Sequence, residues 1–390
     1  MTQLTGRSFQ LPEKSGTNPD LRWDKNYKTN FGIDLRMLDN RLSVSLDGYY
    51  DFGREMFAYP GAINLPGTVG IYAAPENYSE MDMYGLELIV GWRQRINNDM
   101  YFSVRGGFAW DDNKVKKYYW DNPLEFDSYR PNQRTDRGLW GLSCMGMFRS
   151  YQEIEEYFDK YKITDYLGLS QDKVHPGMLI YEDIRGKRDE ETGLYSPIPD
   201  GVISAQDDVV QISKRQNNPY KTNLNLNFVY KSFSLNATLT AEWGAYTLMP
   251  GELRGEKFSD MEKQNVSTMW NDMFIYEDVL DAQGNVIAQA NPDGRWPNFG
   301  FTSGNVNSQA STFWRMSAAE IMLRNISVAY TLPKKWVRSI GLQSVRFNLT
   351  CQNAFSFYNA IPGGYWDNFA GNYGSYPVVR KITMGLKVSF

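Results

Sequence analysis

Between Tyr220 and Trp243 the chain reads as two runs of strict alternation joined by a two-residue turn. Leu224, Leu226, Phe228 and Tyr230 interleave with Asn223, Asn225 and Asn227, and Lys231-Ser232 reverses the chain. Phe233, Leu235, Ala237, Leu239, Ala241 and Trp243 return, interleaved with Asn236, Thr238, Thr240 and Glu242. Strand side chains alternate between faces, so this hairpin carries one apolar face and one face of amides and hydroxyls. A soluble sandwich buries one face and shows mixed charge on the other. An Asn, Thr and Ser face suits a solvated lumen, and the opposite face then meets lipid, as in a transmembrane β-barrel. The competing reading is a soluble antiparallel sheet with its polar face outward.

The same pattern recurs. Phe31, Ile33, Leu35 and Met37 alternate with polar or small residues, Asp39-Asn40 turns, and Leu42, Val44 and Leu46 return. Leu86, Leu88, Val90 and Trp92 lead into Asn97-Asn98-Asp99, and Phe102, Val104, Gly106, Phe108 and Trp110 come back. Two further strands hold Ile326, Val328 and Tyr330, then Val345, Phe347, Leu349 and Cys351. The last ten residues place Ile382, Met384, Leu386, Val388 and Phe390 on one face, and the chain ends on the aromatic.

The connections are unequal. Short turns alternate with long stretches at 53–83, 113–219, 244–319 and 354–377, the asymmetry of outer-membrane barrels with short periplasmic turns. If Phe390 ends at the periplasm, every short turn falls on that side. Nine strands are clear. Leu139 to Phe148, with a partner near 203–213, either adds two crossings or stays outside as a subdomain. The odd count starts the chain outside, whereas complete barrels of this class have an even count. A C-terminal portion of a larger barrel, with Met1 as an internal methionine or an artificial start, is therefore expected. The polar opening residues show no secretory-leader pattern, which agrees with that expectation. Helical starts are predicted at Ser150 and Ser259, each followed three residues later by glutamate in Glu153 and Glu262.

Composition excludes several classes. No run approaches the roughly 18 apolar residues of a spanning helix, and mean hydropathy is −0.52. A net charge of −4 argues against a nucleic-acid binder. One histidine, His175, and two cysteines, Cys144 and Cys351, leave little for a zinc site or a Cys/His nucleophile. The cysteines lie far apart on separate apparent strands, which gives a disulfide little support. No phosphate-binding loop, HExxH or nucleophile motif occurs, so no catalytic residue is assigned. Aromatics make up 15% of the chain, a fraction that suits interfacial belts and sugar-stacking surfaces alike.

Several stretches resemble the SusC/RagA family of TonB-dependent outer-membrane transporters of Bacteroidetes. They are Asn18-Pro19-Asp20-Leu21-Arg22-Trp23-Asp24-Lys25, Asn30-Phe31-Gly32-Ile33-Asp34, Asn40-Arg41-Leu42-Ser43 and Tyr84-Gly85-Leu86-Glu87. The most specific runs from Met322 to Pro333, followed by Val345-Arg346-Phe347, Gln352-Asn353-Ala354-Phe355 and Tyr376-Pro377. Each piece is weak alone, and their order across nearly the whole chain is the signal. The resemblance implies an all-β fold: residues 1–390 as the C-terminal portion, about 9–11 strands, of a 22-stranded antiparallel transmembrane β-barrel. Residues 113–219 and 244–319 would be long extracellular loop regions, with the plug domain and TonB box absent. It implies an outer-membrane location, a SusD-like lipoprotein partner, and energy from TonB–ExbB–ExbD through the missing N-terminal region. It implies no enzyme activity and no cofactor. The family's Asp-rich segment is interrupted here between Asp183 and Asp208, so no bound calcium is predicted.

The expected function is uptake of an oligosaccharide or a peptide. Ligand-binding candidates are the aromatics of the last loop, Phe357, Tyr358, Tyr365, Trp366, Phe369 and Tyr373, with Asp367 or Asn368 for hydroxyls. Arg324 and Arg346 are read as pointing inward. Aromatics that merely pack the loop, and arginines that are simply solvated, are the plainer readings. Phe390 is the barrel's C-terminal signature. A siderophore or cobalamin receptor, and a soluble β-rich carbohydrate-binding protein or enzyme, are the alternatives.

Overall fold

The computed structural model describes residues 14–15, 17–60, 71–119, 132–189, 191–254, 268–298, 303–360 and 379–390. Nine long strands form one sheet: β1 (Lys25–Met37), β2 (Leu42–Ala58), β3 (Glu76–Arg95), β4 (Met100–Lys117), β5 (Tyr220–Tyr230), β6 (Phe233–Trp243), β7 (Glu320–Thr331), β8 (Ser344–Asn359) and β9 (Lys381–Ser389). Their order in the sheet is their order in the chain, an up-and-down meander. Among the described residues the long connections all leave one end and the short turns the other. The turn residues carry the required geometry: Leu38, Asp39 and Asn40 have φ of 55°, 55° and 62°, and Lys231 has 50°. Arg93 Nε donates to Asn40 O at 2.7 Å and fastens the first turn to β3.

The register carries the two faces across the sheet. Tyr220, Leu224, Leu226, Phe228 and Tyr230 stand opposite Trp110, Gly106, Val104, Phe102 and Met100 on one side. On the other side they stand opposite Trp243, Leu239, Ala237, Leu235 and Phe233. The row continues through Tyr330 to Phe347 to Leu386. Aromatics thus bound this face twice, at Trp110, Tyr220 and Trp243, and again at Tyr230, Phe233, Tyr330 and Phe347. Ten steps separate Tyr220 from Tyr230. At about 3.4 Å per residue and the usual 35–45° tilt, that is roughly 25 Å across a membrane, the height of a barrel's apolar band.

The strands run further than alternation alone indicates. β2 continues to Ala58, β3 starts at Glu76 and β4 reaches Lys117. In these extensions hydrophobic alternation stops while backbone pairing continues, and polar side chains such as Ser79 and Asp82 are buried.

The residues fall into two compact units. One holds Met1–Gly32, Asp47–Leu86 and Asp111–Arg137. Here Asp82, almost fully buried, receives Arg54 Nη1 and the Tyr50 hydroxyl at 2.8 and 2.9 Å. The Asn18–Asp24 stretch serves as a clasp. Asn18 Nδ2 donates to Pro75 O, Arg22 exchanges two backbone bonds with the Asn77 amide, and Asp24 accepts from Phe57 N.

The other unit holds Ile33–Leu46, Glu87–Trp110 and Gly138–Phe390. Within it, residues 138–213 and 245–317 co-fold around one apolar core that includes Phe148, Tyr166, Met178, Leu179, Phe274 and Trp314. Leu139–Leu142 pairs with Val209–Ser213, and Cys144–Met147 with Leu179–Tyr181. These short strands lie outside the nine-stranded sheet, so the segment left open in the sequence is a subdomain rather than two more crossings. Helix α1 (Tyr151–Tyr161) begins as its cap predicts: Ser150 Oγ accepts from Glu153 N at 3.2 Å, and the Glu153 carboxylate reaches back to Arg149 N at 2.7 Å. The start predicted at Ser259 lies outside the described residues. Both cysteines are free thiols.

Candidate functional site

The polar face of β4–β9 is a ladder of amides and hydroxyls with charged residues among them, including Arg105, Lys221, Glu242, Lys381 and Lys387. Asn225 Oδ1 accepts the Thr238 hydroxyl at 3.0 Å, and the Ser327 and Thr350 hydroxyls lie 3.0 Å apart. Asn223 faces Gly107 and Asn348 faces Gly385. A Cβ at either glycine would come within 2.6 or 2.5 Å of the facing carboxamide oxygen. Glycine there lets each amide lie flat against the sheet, with its spare donors and acceptors turned to solvent.

Both candidate arginines are on this face, at opposite ends. Arg324 is the extra residue of a bulge in β7, between the Thr238–Asn325 and Leu239–Leu323 pairs. Its Nε donates to Thr240 Oγ1 at 3.1 Å, and Nη2 lies 3.6 Å from Glu320 Oε1. Arg346 sits opposite Thr331 near the short-turn end and donates from Nη2 to Ser234 Oγ at 3.1 Å. The two do not converge on one site.

Tyr358 is part of β8 rather than of the loop. It stands opposite Ile321, which continues the apolar row through Ala241. The register shift between Ser356 and Tyr358, which skips Phe357, causes this, since a slip of one residue moves a side chain to the other face. Tyr365, Trp366, Asp367, Asn368, Phe369 and Tyr373 lie outside the described residues. Phe390 is largely exposed, as are Ile382, Met384 and Leu386 before it.

The folded connections add a feature that sequence order hides. Tyr151, His175 and Tyr276 meet edge to face on the subdomain surface, with Tyr151 5.5 Å from Tyr276 and 6.3 Å from His175. Arg149 lies over Phe274 at 5.1 Å and donates to Pro292 O and Gly294 O, fixing this corner. Three separate segments contribute, so no local motif announces the cluster.

The Asp183–Asp208 segment uses its carboxylates on backbone. Asp208, fully buried, accepts from Ile184 N and Arg185 N on one oxygen and from Ser204 N on the other. Asp183 accepts from Gly201 N at 2.7 Å, and Asp200 from Val202 N and Lys187 N. Burial pushes the carboxyls of Asp208 and Asp183 above the ordinary range. Among the described residues no group of three or more His, Cys, Asp or Glu is arranged to hold a metal ion.

An amide-lined face backed by an apolar face with two aromatic girdles defines the wall of an outer-membrane β-barrel. Comparison with known proteins carries the assignment further. The chain is 25% identical over 401 residues to TonB-dependent receptor P3 of Formosa agariphila, covering 96% of this chain and 35% of that protein. It is 24% identical over 101 residues to TonB-dependent receptor SusC of Bacteroides thetaiotaomicron, covering 26% of this chain and 10% of SusC. In fold it superposes on the RagAB peptide transporter with a TM-score of 0.67 at 18% identity, covering all of this chain and 38% of that one. No family model matches. The chain is thus SusC/RagA-like, part of a TonB-dependent receptor barrel, and it is an outer-membrane protein. It spans about a third of the length of the Formosa agariphila receptor.

Proposed function

We propose that this barrel wall serves uptake of a polar oligomer, an oligosaccharide or a peptide, with no chemistry done on it. The ladder of Asn, Thr and Ser across β4–β9 carries the reading: between charged residues such as Arg105, Glu242, Arg346 and Lys387 it offers many weak donors and acceptors, which suits a polar chain passing a solvated lumen. The long connections, including 113–219 and 244–319, face outside and the short turns face the periplasm. Ligand first meets the aromatic cluster of Tyr151, His175 and Tyr276 and the last-loop residues Tyr365, Trp366, Phe369 and Tyr373, whose rings stack on sugar or peptide planes, with Asp367 accepting from hydroxyls. Arg324 lines the outer end of the lumen. A SusD-like lipoprotein covers the loops, and TonB supplies energy through a plug encoded with the rest of the receptor. The SusC-like sequence and RagAB-like fold support an importer over an enzyme.

The test is growth of a strain lacking the whole receptor on defined oligosaccharides or peptides. Loss on one class, restored by the full-length receptor and impaired by Tyr151→Ala with Tyr276→Ala, is expected. A defect confined to iron- or cobalamin-limited medium would overturn the reading.

A further inference from the structure

The apolar face is unevenly filled. Toward the short turns its rows are bulky, as in Phe102, Phe228, Leu235, Val328 and Leu349. Near the long connections Thr222 and Ala241 stand side by side, and Gly106 opens the neighbouring row opposite Leu224. There the face sinks into an open hollow of about 470 Å³, walled by Leu88, Val90, Phe108 and Ile321. That volume falls within the roughly 300–1,000 Å³ of small-ligand sites.

Backbone sterics do not require the hollow. A Cβ at Gly106 would meet Leu224 Cδ1 at 3.8 Å and Asn223 O at 3.9 Å, both ordinary contacts. Gly106 is also absent from the positive-φ residues, so a larger side chain fits the backbone there. The single hydroxyl at the floor is satisfied, because Thr222 Oγ1 donates to Gly107 O at 2.6 Å. Hydrocarbon surroundings demand such internal pairing. By register the hollow lies just inside the aromatic girdle, and Phe108, Tyr220 and Trp243 cluster at its rim with centroids 5.9 to 6.3 Å apart.

We propose that this hollow is a lipid site, seating one acyl chain of a membrane lipid from the leaflet on the long-connection side. Its depth inside the girdle makes hydrocarbon the adjoining phase, its lining is apolar, and its openness along the face admits a chain without a tunnel. The stacked rim rings sit where the ester region of that lipid would lie. The site is independent of the transported ligand, so it stands or falls apart from the uptake reading.

The experiment uses the full-length receptor in phosphatidylcholine vesicles doped with phosphatidylcholine carrying a photoactivatable diazirine in its acyl chain. Crosslinks are mapped by peptide mass spectrometry. Labelling of the segments around Thr222 and Ala241 should exceed that around Phe228 and Leu235 several-fold. Gly106→Leu, which fills the floor, should abolish the excess while the barrel stays folded, judged by its heat-shifted gel mobility. Thr222→Val, which keeps the shape, should leave the excess intact. Even labelling of both rows, an excess that survives Gly106→Leu, or barrel-to-barrel crosslinks at the hollow in place of lipid adducts would each overturn the proposal.

Discussion

Arginine placed on the two faces of β5 tests the barrel geometry at one depth. Leu226 lies six steps from Tyr220 and four from Tyr230 on the apolar face, and its cross-strand neighbours are Val104 and Ala237. Asn225, one residue away, is on the amide face, where arginine loses the bond from the Thr238 hydroxyl and faces Arg105 in a solvated lumen. Arginine near the midplane of a barrel's lipid face costs about 2–4 kcal/mol, falling to about 0–1 near the interfaces. Loss of one exposed hydrogen bond costs about 0.5–1.5 kcal/mol at most. Leu226→Arg should therefore destabilise the full-length receptor by about 2–4 kcal/mol, tens- to several-hundredfold in the folding equilibrium. Asn225→Arg should cost about 1 kcal/mol, the lost bond and the facing Arg105 together, and less than Leu226→Arg, and Thr222→Arg, close to the girdle, should fall nearer to it than to Leu226→Arg. Urea titration of the receptor refolded into vesicles measures all three. Equal costs at 225 and 226, or the reverse order, would refute the assignment of faces.

Phe390→Ala in the full-length receptor should lower the amount of folded barrel in the outer membrane, since the last strand ends there on an exposed aromatic; unchanged heat-modifiable protein would count against that role. Asp208→Asn should destabilise the subdomain by about 1–3 kcal/mol, because an NH₂ replaces an oxygen facing a backbone N–H, as read by proteolysis of the folded loops. The pH dependence has a definite sign. The folded carboxyl of Asp208 is raised above 3.8, so the folded state holds the proton longer and stability falls as pH rises from the ordinary value through the raised one; the asparagine variant should lack that component. Cys144, pushed up to about 11 by burial, should resist alkylation at pH 8 in the folded receptor and react on unfolding, without reductant.

The crossing strands were legible because each is half in lipid and half in water, and a two-phase surrounding writes period two into the sequence. The Lys231-Ser232 turn and the Ser150 cap were legible because their constraints are local. In Asp47–Ala58 and Glu76–Tyr84 burial falls on polar groups such as Asp82, held by Arg54 and Tyr50, so apolar alternation loses its cause. The bulge at Arg324 and the shift that skips Phe357 are set by pairing with a partner strand, so the face taken by Tyr358 cannot be counted from its own strand. The cluster of Tyr151, His175 and Tyr276 depends on two connections meeting, and chain order contains no trace of that meeting.

The shared core of the two long connections imposes an order on assembly. Asn307 Oδ1 accepts from Leu179 N across 128 residues, and Thr312 Oγ1 accepts from Cys144 N across 168. The first connection therefore stays incomplete, with Phe148, Tyr166 and Met178 uncovered, until the second has been delivered to the same side. Strands β5 and β6 separate the two connections in the chain, so closure of the shared core brings the two ends of that hairpin to one place. Contacts of such long separation form late, and protease sensitivity of 138–213 becomes a clock for how far the wall has been built.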